Sequence, residues 1–120
     1  MHPVLVREHR TGGGQQILYP AGELDAVAAD HFTSMIDTAL ADDQLTGVVI
    51  DLSAVTFLDC AGIGALVAGR RAALRLGKAF HVAGATGLPR RVLELTGTLT
   101  ALQLNPPSEK ATMLRTPVAA

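Results

Sequence analysis

Apolar residues occur along the chain in short runs, and the spacing within each run predicts its secondary structure. Residues 4–6 and 17–19 are β-favouring runs on either side of residues 11–14, whose glycines suit a hairpin turn. Residues 48–52 form an almost continuous apolar run, typical of a central strand covered on both faces. We therefore expect an antiparallel hairpin followed by a strand in the middle of the sheet.

Two longer segments repeat their apolar residues with helical spacing. The first follows Asp25, a residue type that caps helix N-termini, and its apolar stripe is Ala28, Phe32, Met35, Ile36, Ala39 and Leu40. The second starts within residues 59–62, and its expected buried stripe is Ile63, Leu66, Val67, Ala73 and Leu74. Each stripe predicts a helix with one face against a core.

The outer face of the second helix has small and basic residues at steps of three and four: Gly64, Ala68, Arg71, Arg75 and Lys78. The cations lie toward the C-terminal end, where the helix dipole favours them. Either a solvated helix face or a specific binding patch explains this pattern.

Shorter elements complete the chain. Residues 79–83 read as a strand, residues 89–96 as a helix that begins at Pro89 and ends at Gly97, and residues 100–104 as a last strand. Ser108 then suits the cap of a final helix through about Arg115. The prediction is an α/β fold, one domain over residues 1–120 with its core at about 4–115, with a mixed sheet of about five strands and about four helices.

Composition narrows the function classes. A formal net charge of -1 without an aromatic-rich basic stretch argues against a dedicated nucleic-acid binder. Apolar runs of only a few residues, with charges in the first ten positions, predict neither direct membrane insertion nor a secretory signal, so we expect a cytoplasmic protein. One cysteine among 120 residues allows no internal disulfide and no zinc site of the usual spacings.

Candidate chemistry is sparse. The sequence has no GxSxG or HExxH motif, and its histidines His2, His9, His31 and His81 are scattered, so we expect no enzyme activity, no cofactor and no metal site. Cys60 lies beside Asp59 at a predicted helix start. A thiol at a helix N-terminus is a candidate nucleophile or redox sensor, whereas an adjacent acid disfavours a thiolate, so an inert cysteine is the simpler interpretation.

The segment GELD at residues 22–25, the amphipathic helix and the later segment VVIDLSAVTFLDCAGIGAL together resemble the STAS domain of bacterial anti-sigma factor antagonists. The family pattern is roughly DLSxVxFxDSSGLGxL, and the residues that fit it are Asp51, Leu52, Ser53, Val55, Phe57, Asp59, Gly62, Ile63, Gly64 and Leu66. Leu88, Pro89, Val92, Leu93 and Gly97 fit a later short helix of the family. The resemblance extends from Val4 to about Arg115.

The resemblance implies partner switching. Such a domain binds an anti-sigma factor that is also a serine kinase and so releases a sigma factor, until phosphorylation of the serine after the aspartate breaks the complex. The implied partner-binding residues are Glu23, Leu24, Asp25, Asp59, Cys60, Ala61 and Gly62, with Arg71 and Arg75 for electrostatic steering.

Cys60 occupies the position of that serine, and Ala61 follows it. Three interpretations remain: a constitutive antagonist, control by oxidation of Cys60, or phosphorylation of another hydroxyl such as Ser53, Thr56 or Thr96. A different class of function is a soluble STAS subunit or regulator of a membrane transporter. The sequence leaves the oligomeric state and nucleotide binding open.

Overall fold

The computed structural model describes residues 5–103, in which five strands and four helices form one mixed sheet with packed helices. The elements are β1 Leu5–Arg10, β2 Gln15–Leu24, α1 Ala26–Leu40, β3 Gly47–Asp51, β4 Ala54–Leu58, α2 Cys60–Arg75, β5 Ala79–Ala83, α3 Gly87–Leu95 and α4 Thr98–Gln103. The predicted α/β class and numbers of elements are confirmed. The helix expected from Ser108 to about Arg115 lies outside the described residues.

The ten-residue strand β2 organises the sheet. β1 pairs with it antiparallel, whereas β3 and β4 pair with it parallel. Ala21 pairs with both Leu5 of β1 and Ala54 of β4, so β3 and β4 follow one another along the edge of β2 opposite β1. β5 pairs with the far side of β3. The central position predicted for residues 48–52 is confirmed.

Strand β4 contains a β-bulge. Gly22 pairs with Val55 and Glu23 pairs with Phe57, which leaves Thr56 as the extra residue. Val55 and Leu58 are both buried although they are three residues apart, while Thr56 and Phe57 are exposed. The bulge therefore breaks the two-residue alternation by which a half-buried strand is recognised, and β4 was not predicted.

The core lies between the helices and one face of the sheet. The paired row Leu18, Ile50 and Val82 is fully buried, and it joins one cluster with apolar residues from all four helices. On the opposite face, Val49 and its partner His81 are only partly buried. The predicted burial of β3 on both faces therefore holds fully for one face only.

Two predictions for the C-terminal half of the described chain are wrong. Residues 100–103 belong to α4 and not to a strand, because Leu99 and Leu102 are buried at the three-residue spacing of a helix. Leu74 is 51% exposed, because Ala73 is the buried residue and the next position is rotated by about 100° around the helix axis. The predicted helix at Pro89 exists as α3, which starts two residues earlier, at Gly87.

Lys78 also departs from its predicted place on the outer face of α2. It follows the end of α2 and is partly buried. Its Nζ donates to the carbonyl oxygens of Leu40 at 2.6 Å and Asp42 at 2.8 Å. Carbonyls at a helix C-terminus lack intrahelical donors, so Lys78 joins the C-terminal end of α1 to the start of β5.

Candidate functional site

The two segments that carry the resemblance meet where β2 and β4 end. Glu23 pairs with Phe57 and Leu24 pairs with Leu58, and the Asp59 amide donates to the Leu24 carbonyl at 3.5 Å. Paired strands lie about 4.8 Å apart, so the helices that follow them begin side by side. The structure therefore brings GELD next to the start of α2.

An aspartate caps each of these helices. Asp25 Oδ1 accepts from the Ala28 amide at 3.0 Å, which confirms the predicted N-cap of α1. Asp59 Oδ1 accepts from the Ala61 amide at 3.0 Å and the Gly62 amide at 3.1 Å. Carboxylates are favoured at helix N-termini, where amides lack intrahelical acceptors. Two acidic side chains thus lie at neighbouring strand ends.

Cys60 is the first residue of α2, and its side chain is exposed. Ala61 beside it is partly buried and has no hydroxyl. Of the alternative phosphate acceptors, Ser53 and Thr56 are exposed. Thr96 is also exposed, and its hydroxyl donates to the Val92 carbonyl at 2.9 Å, at the end of α3.

Of the remaining predicted site residues, two are buried beneath the strand ends and two lie far from them on α2. Leu24 is fully buried and Gly62 is buried, so they support the surface from below. Arg71 and Arg75 are exposed on α2, as expected for its outer face. They follow Cys60 by more than ten residues, which places them about 16 Å or more along the helix axis. The structure does not bring these arginines together with Glu23, Asp25 and Asp59.

Two exposed apolar side chains near the strand ends were not predicted as site residues. Phe57, opposite Glu23, is 39% exposed, and Val27 in the first turn of α1 is 53% exposed. Exposed apolar groups beside polar ones are typical of protein–protein contacts. The exposure of Phe57 could not be predicted from the sequence, because the bulge changes the face on which Phe57 lies. The exposure of Val27 could have been predicted, because Val27 lies outside the apolar stripe of α1.

The acid beside Cys60 is already engaged by backbone amides. The carboxylate that lies beside Cys60 in sequence, that of Asp59, accepts from two amides as a helix cap. Within residues 5–103 no group of three His, Cys, Asp or Glu side chains is placed to hold a metal ion. In the same part of the chain no helix is long and apolar enough to cross a membrane.

Comparison with protein families adds one decisive observation. The profile of the STAS domain matches residues 6–111, which is most of the chain. The chain belongs to the STAS domain family. A search of curated protein sequences finds no significant match.

Solved structures share this STAS fold. An anti-sigma factor antagonist from Mycobacterium paratuberculosis is 29% identical, with 83% of this chain and 82% of that one covered and a TM-score of 0.72. The Bacillus cell fate determinant SpoIIAA in its phosphorylated form is 18% identical, with 92% and 100% covered and a TM-score of 0.66. A sulfate transporter family protein from Wolinella succinogenes is also 18% identical, with 78% and 75% covered and a TM-score of 0.66.

Proposed function

We propose that this STAS domain is an anti-sigma factor antagonist that acts in the cytoplasm. It binds an anti-sigma factor of the serine-kinase type and thereby releases a sigma factor for transcription. The observation that carries the proposal is the surface at the ends of β2 and β4, where the exposed Cys60 starts α2; the resemblance implies that Cys60 takes the family's phosphoserine position. The 29% identity to the Mycobacterium paratuberculosis antagonist supports the same assignment.

The surface has the composition of a partner-binding site. Phe57 and Val27 supply exposed apolar area near the strand ends, where the carboxylates of Glu23, Asp25 and Asp59 also lie. Apolar contact supplies affinity and charges supply selectivity. An anti-sigma factor with a complementary apolar patch fits this description, and a negative charge added beside Asp59 would be desolvated and repelled in that contact.

We further propose that binding is constitutive. The kinase reaction of a switchable antagonist needs a hydroxyl nucleophile, whereas this chain offers the Cys60 thiol and then Ala61. Without a phosphate beside Asp59, no added charge repels the partner. The domain then holds its anti-sigma factor whether or not ATP is present.

The test measures binding of a purified kinase-type anti-sigma factor by calorimetry, with and without ATP, and the intact mass of the antagonist. The native chain should bind equally in both conditions and gain no mass. Cys60→Ser should gain one phosphate and lose binding in ATP. Cys60→Asp should weaken binding at least about tenfold through like-charge repulsion near Asp59.

Thr100→Asp is the matched control, because Thr100 is exposed on α4 and its variant carries the same added charge. It should bind like the native chain. Phosphate on the native chain would refute constitutive binding, and its position would show whether Ser53, Thr56 or Thr96 accepts it. Failure to bind kinase-type anti-sigma factors encoded beside this protein would refute the function itself.

Oxidation of Cys60 is the alternative form of control. Peroxide would convert the exposed thiol to a sulfenic acid, with peroxide reduced to water. In that case binding falls after peroxide and recovers with added thiol, while Cys60→Ser keeps binding under peroxide. Binding that is unchanged by peroxide would exclude this regulation.

The sulfate transporter family protein illustrates the second candidate, a subunit or regulator of a transporter. At 18% identity the likeness shows a shared fold alone. Recovery of this chain with a membrane transporter, and without any anti-sigma factor, would favour that function over the proposed one.

A further inference from the structure

The C-terminal end of α1, remote from the site, carries an excess of negative charge. Asp37 lies in the last turn, and Asp42 and Asp43 follow the C-cap Ala41, while the last turn has no basic residue. The helix dipole is negative at this end, so acidic side chains here lower the stability of the helix. Residues that oppose the stability of their own helix, as these aspartates do, are common at functional surfaces.

Neighbouring cations offset only part of this charge. Arg10 pairs with Asp42 at 2.7 Å, and Lys78 binds two backbone carbonyls. Asp37 and Asp43 are exposed, and within residues 5–103 neither forms an ion pair. Two negative charges therefore remain for an external cation.

These two aspartates border an apolar cleft between α1 and α2. The cleft has a volume of about 330 Å³, its apolar lining is Leu40, Ala41, Ala72 and Leu76, and Lys78 lines it beside the two aspartates. Leu76 is 56% exposed, so it offers apolar area at the mouth of the cleft. The surface therefore combines an apolar centre with an acidic rim on the α1 side.

The outer face of α2 beside the cleft is basic, since Arg71 and Arg75 directly precede the lining residues Ala72 and Leu76. Arg71 and Arg75 are one helical turn apart, and both are exposed. Neither forms an ion pair with a residue of the described part of the chain. Two unpaired positive charges thus match the two unpaired negative charges in number.

The geometry points to a second copy of this chain as the occupant of this surface. In a two-fold dimer each patch meets its counterpart, so residue i contacts residue j and j contacts i. Arg71 and Arg75 of each copy then face Asp37 and Asp43 of the other, and Leu76 of each copy lies near the axis. A basic partner would pair with the aspartates but would be repelled by the arginines, so self-association suits both sides.

The experiment measures the mass of the full chain by sedimentation velocity, from micromolar to submillimolar concentration, at about 0.05 M and about 0.5 M salt. We expect a monomer–dimer equilibrium that weakens in high salt. The double variants Arg71→Asp/Arg75→Asp and Asp37→Arg/Asp43→Arg should each dimerise at least about tenfold more weakly. Mixed together they should form a heterodimer, because every facing pair is then opposite in charge.

Arg91→Asp is the control, because this exposed arginine of α3 lies outside the patch, and the variant should dimerise like the native chain. Circular dichroism checks that every variant is folded. A native chain that stays monomeric at all concentrations, or a mixture of folded charge-reversed variants that stays monomeric, would overturn the proposal. The proposed surface for the anti-sigma factor lies at the other end of α1 and α2. Failure to dimerise therefore leaves the proposed function standing, and failure to bind an anti-sigma factor leaves the dimer standing.

Discussion

Replacing Gly62 with alanine tests how closely α2 must approach β2 to form the site. The added Cβ would lie 2.5 Å from the backbone oxygen of Leu24 and 2.7 Å from Cδ1 of Leu58. Real Cβ atoms essentially never come this close to another heavy atom. The carbonyl oxygen belongs to the end of a paired strand, so it cannot move without moving β2 or α2.

The expected cost follows from two opposing effects. Forcing an extra methyl group into a packed site costs about 1–3 kcal/mol. Alanine in place of glycine within a helix returns about 0.5–1 kcal/mol. We expect Gly62→Ala to lower the free energy of unfolding by about 1–2 kcal/mol, being the difference of these two effects.

Gly64→Ala is the matched control on the same helix. No heavy atom lies within 4 Å of a Cβ at Gly64, so only the helix-propensity gain applies. The helix-propensity gain is common to both variants, so in urea denaturation they should differ by the overpacking cost of about 1–3 kcal/mol, which corresponds to midpoints roughly 1–2 M apart. Equal midpoints, or a more stable Gly62→Ala, would refute the close approach of α2 to β2.

Two further predictions concern acidic side chains. Asp59→Ala should lower the free energy of unfolding by about 1 kcal/mol, because two amides lose their acceptor. Asp59→Asn keeps an acceptor and should change the free energy of unfolding by only about a few tenths of a kcal/mol. Equal urea midpoints for the two variants would contradict the role of Asp59 as a helix cap. The pKa of Asp42 is lowered by the Gln44 amide and then by Arg10. Its contribution to stability is therefore present above the unfolded-state pKa of about 3.9 and is lost as pH falls through the lower folded pKa. Asp42→Asn should show a smaller loss of stability than the native chain in acid unfolding below about pH 4, and identical acid profiles would contradict this.

Sequence patterns predicted the elements whose burial follows a single period. The apolar stripe of α1 repeats with helical spacing and β3 is an almost continuous apolar run, so the positions of both elements followed directly. β4 was missed because its bulge places Val55 and Leu58, three residues apart, on one face. Residues 100–104 were predicted as a strand because α4 has only six residues. Its two buried leucines are too few to distinguish a helical repeat from a strand repeat.

For the site, sequence similarity identified the segments but not the direction of each side chain. Asp25 was predicted as the N-cap of α1 and is one, since a capping residue is defined by local sequence. Asp59 was predicted only to lie within residues 59–62, where α2 starts, and its capping role comes from the structure. The burial of Leu24 and the exposure of Phe57 depend on how β2 and β4 pair, which no local pattern specifies. The separation of Arg75 from Cys60 follows from the 16-residue length of α2.

The bulge in β4 also has a consequence for chain length among related proteins. Thr56 is passed over in the pairing with β2, so the pairs before and after it do not depend on its presence. A relative that lacks this one residue can keep Phe57 opposite Glu23 and Leu58 opposite Leu24. In an alignment of such chains, a one-residue gap belongs at Thr56, and a gap placed at Asp59 or Cys60 would misassign the residue at the start of α2.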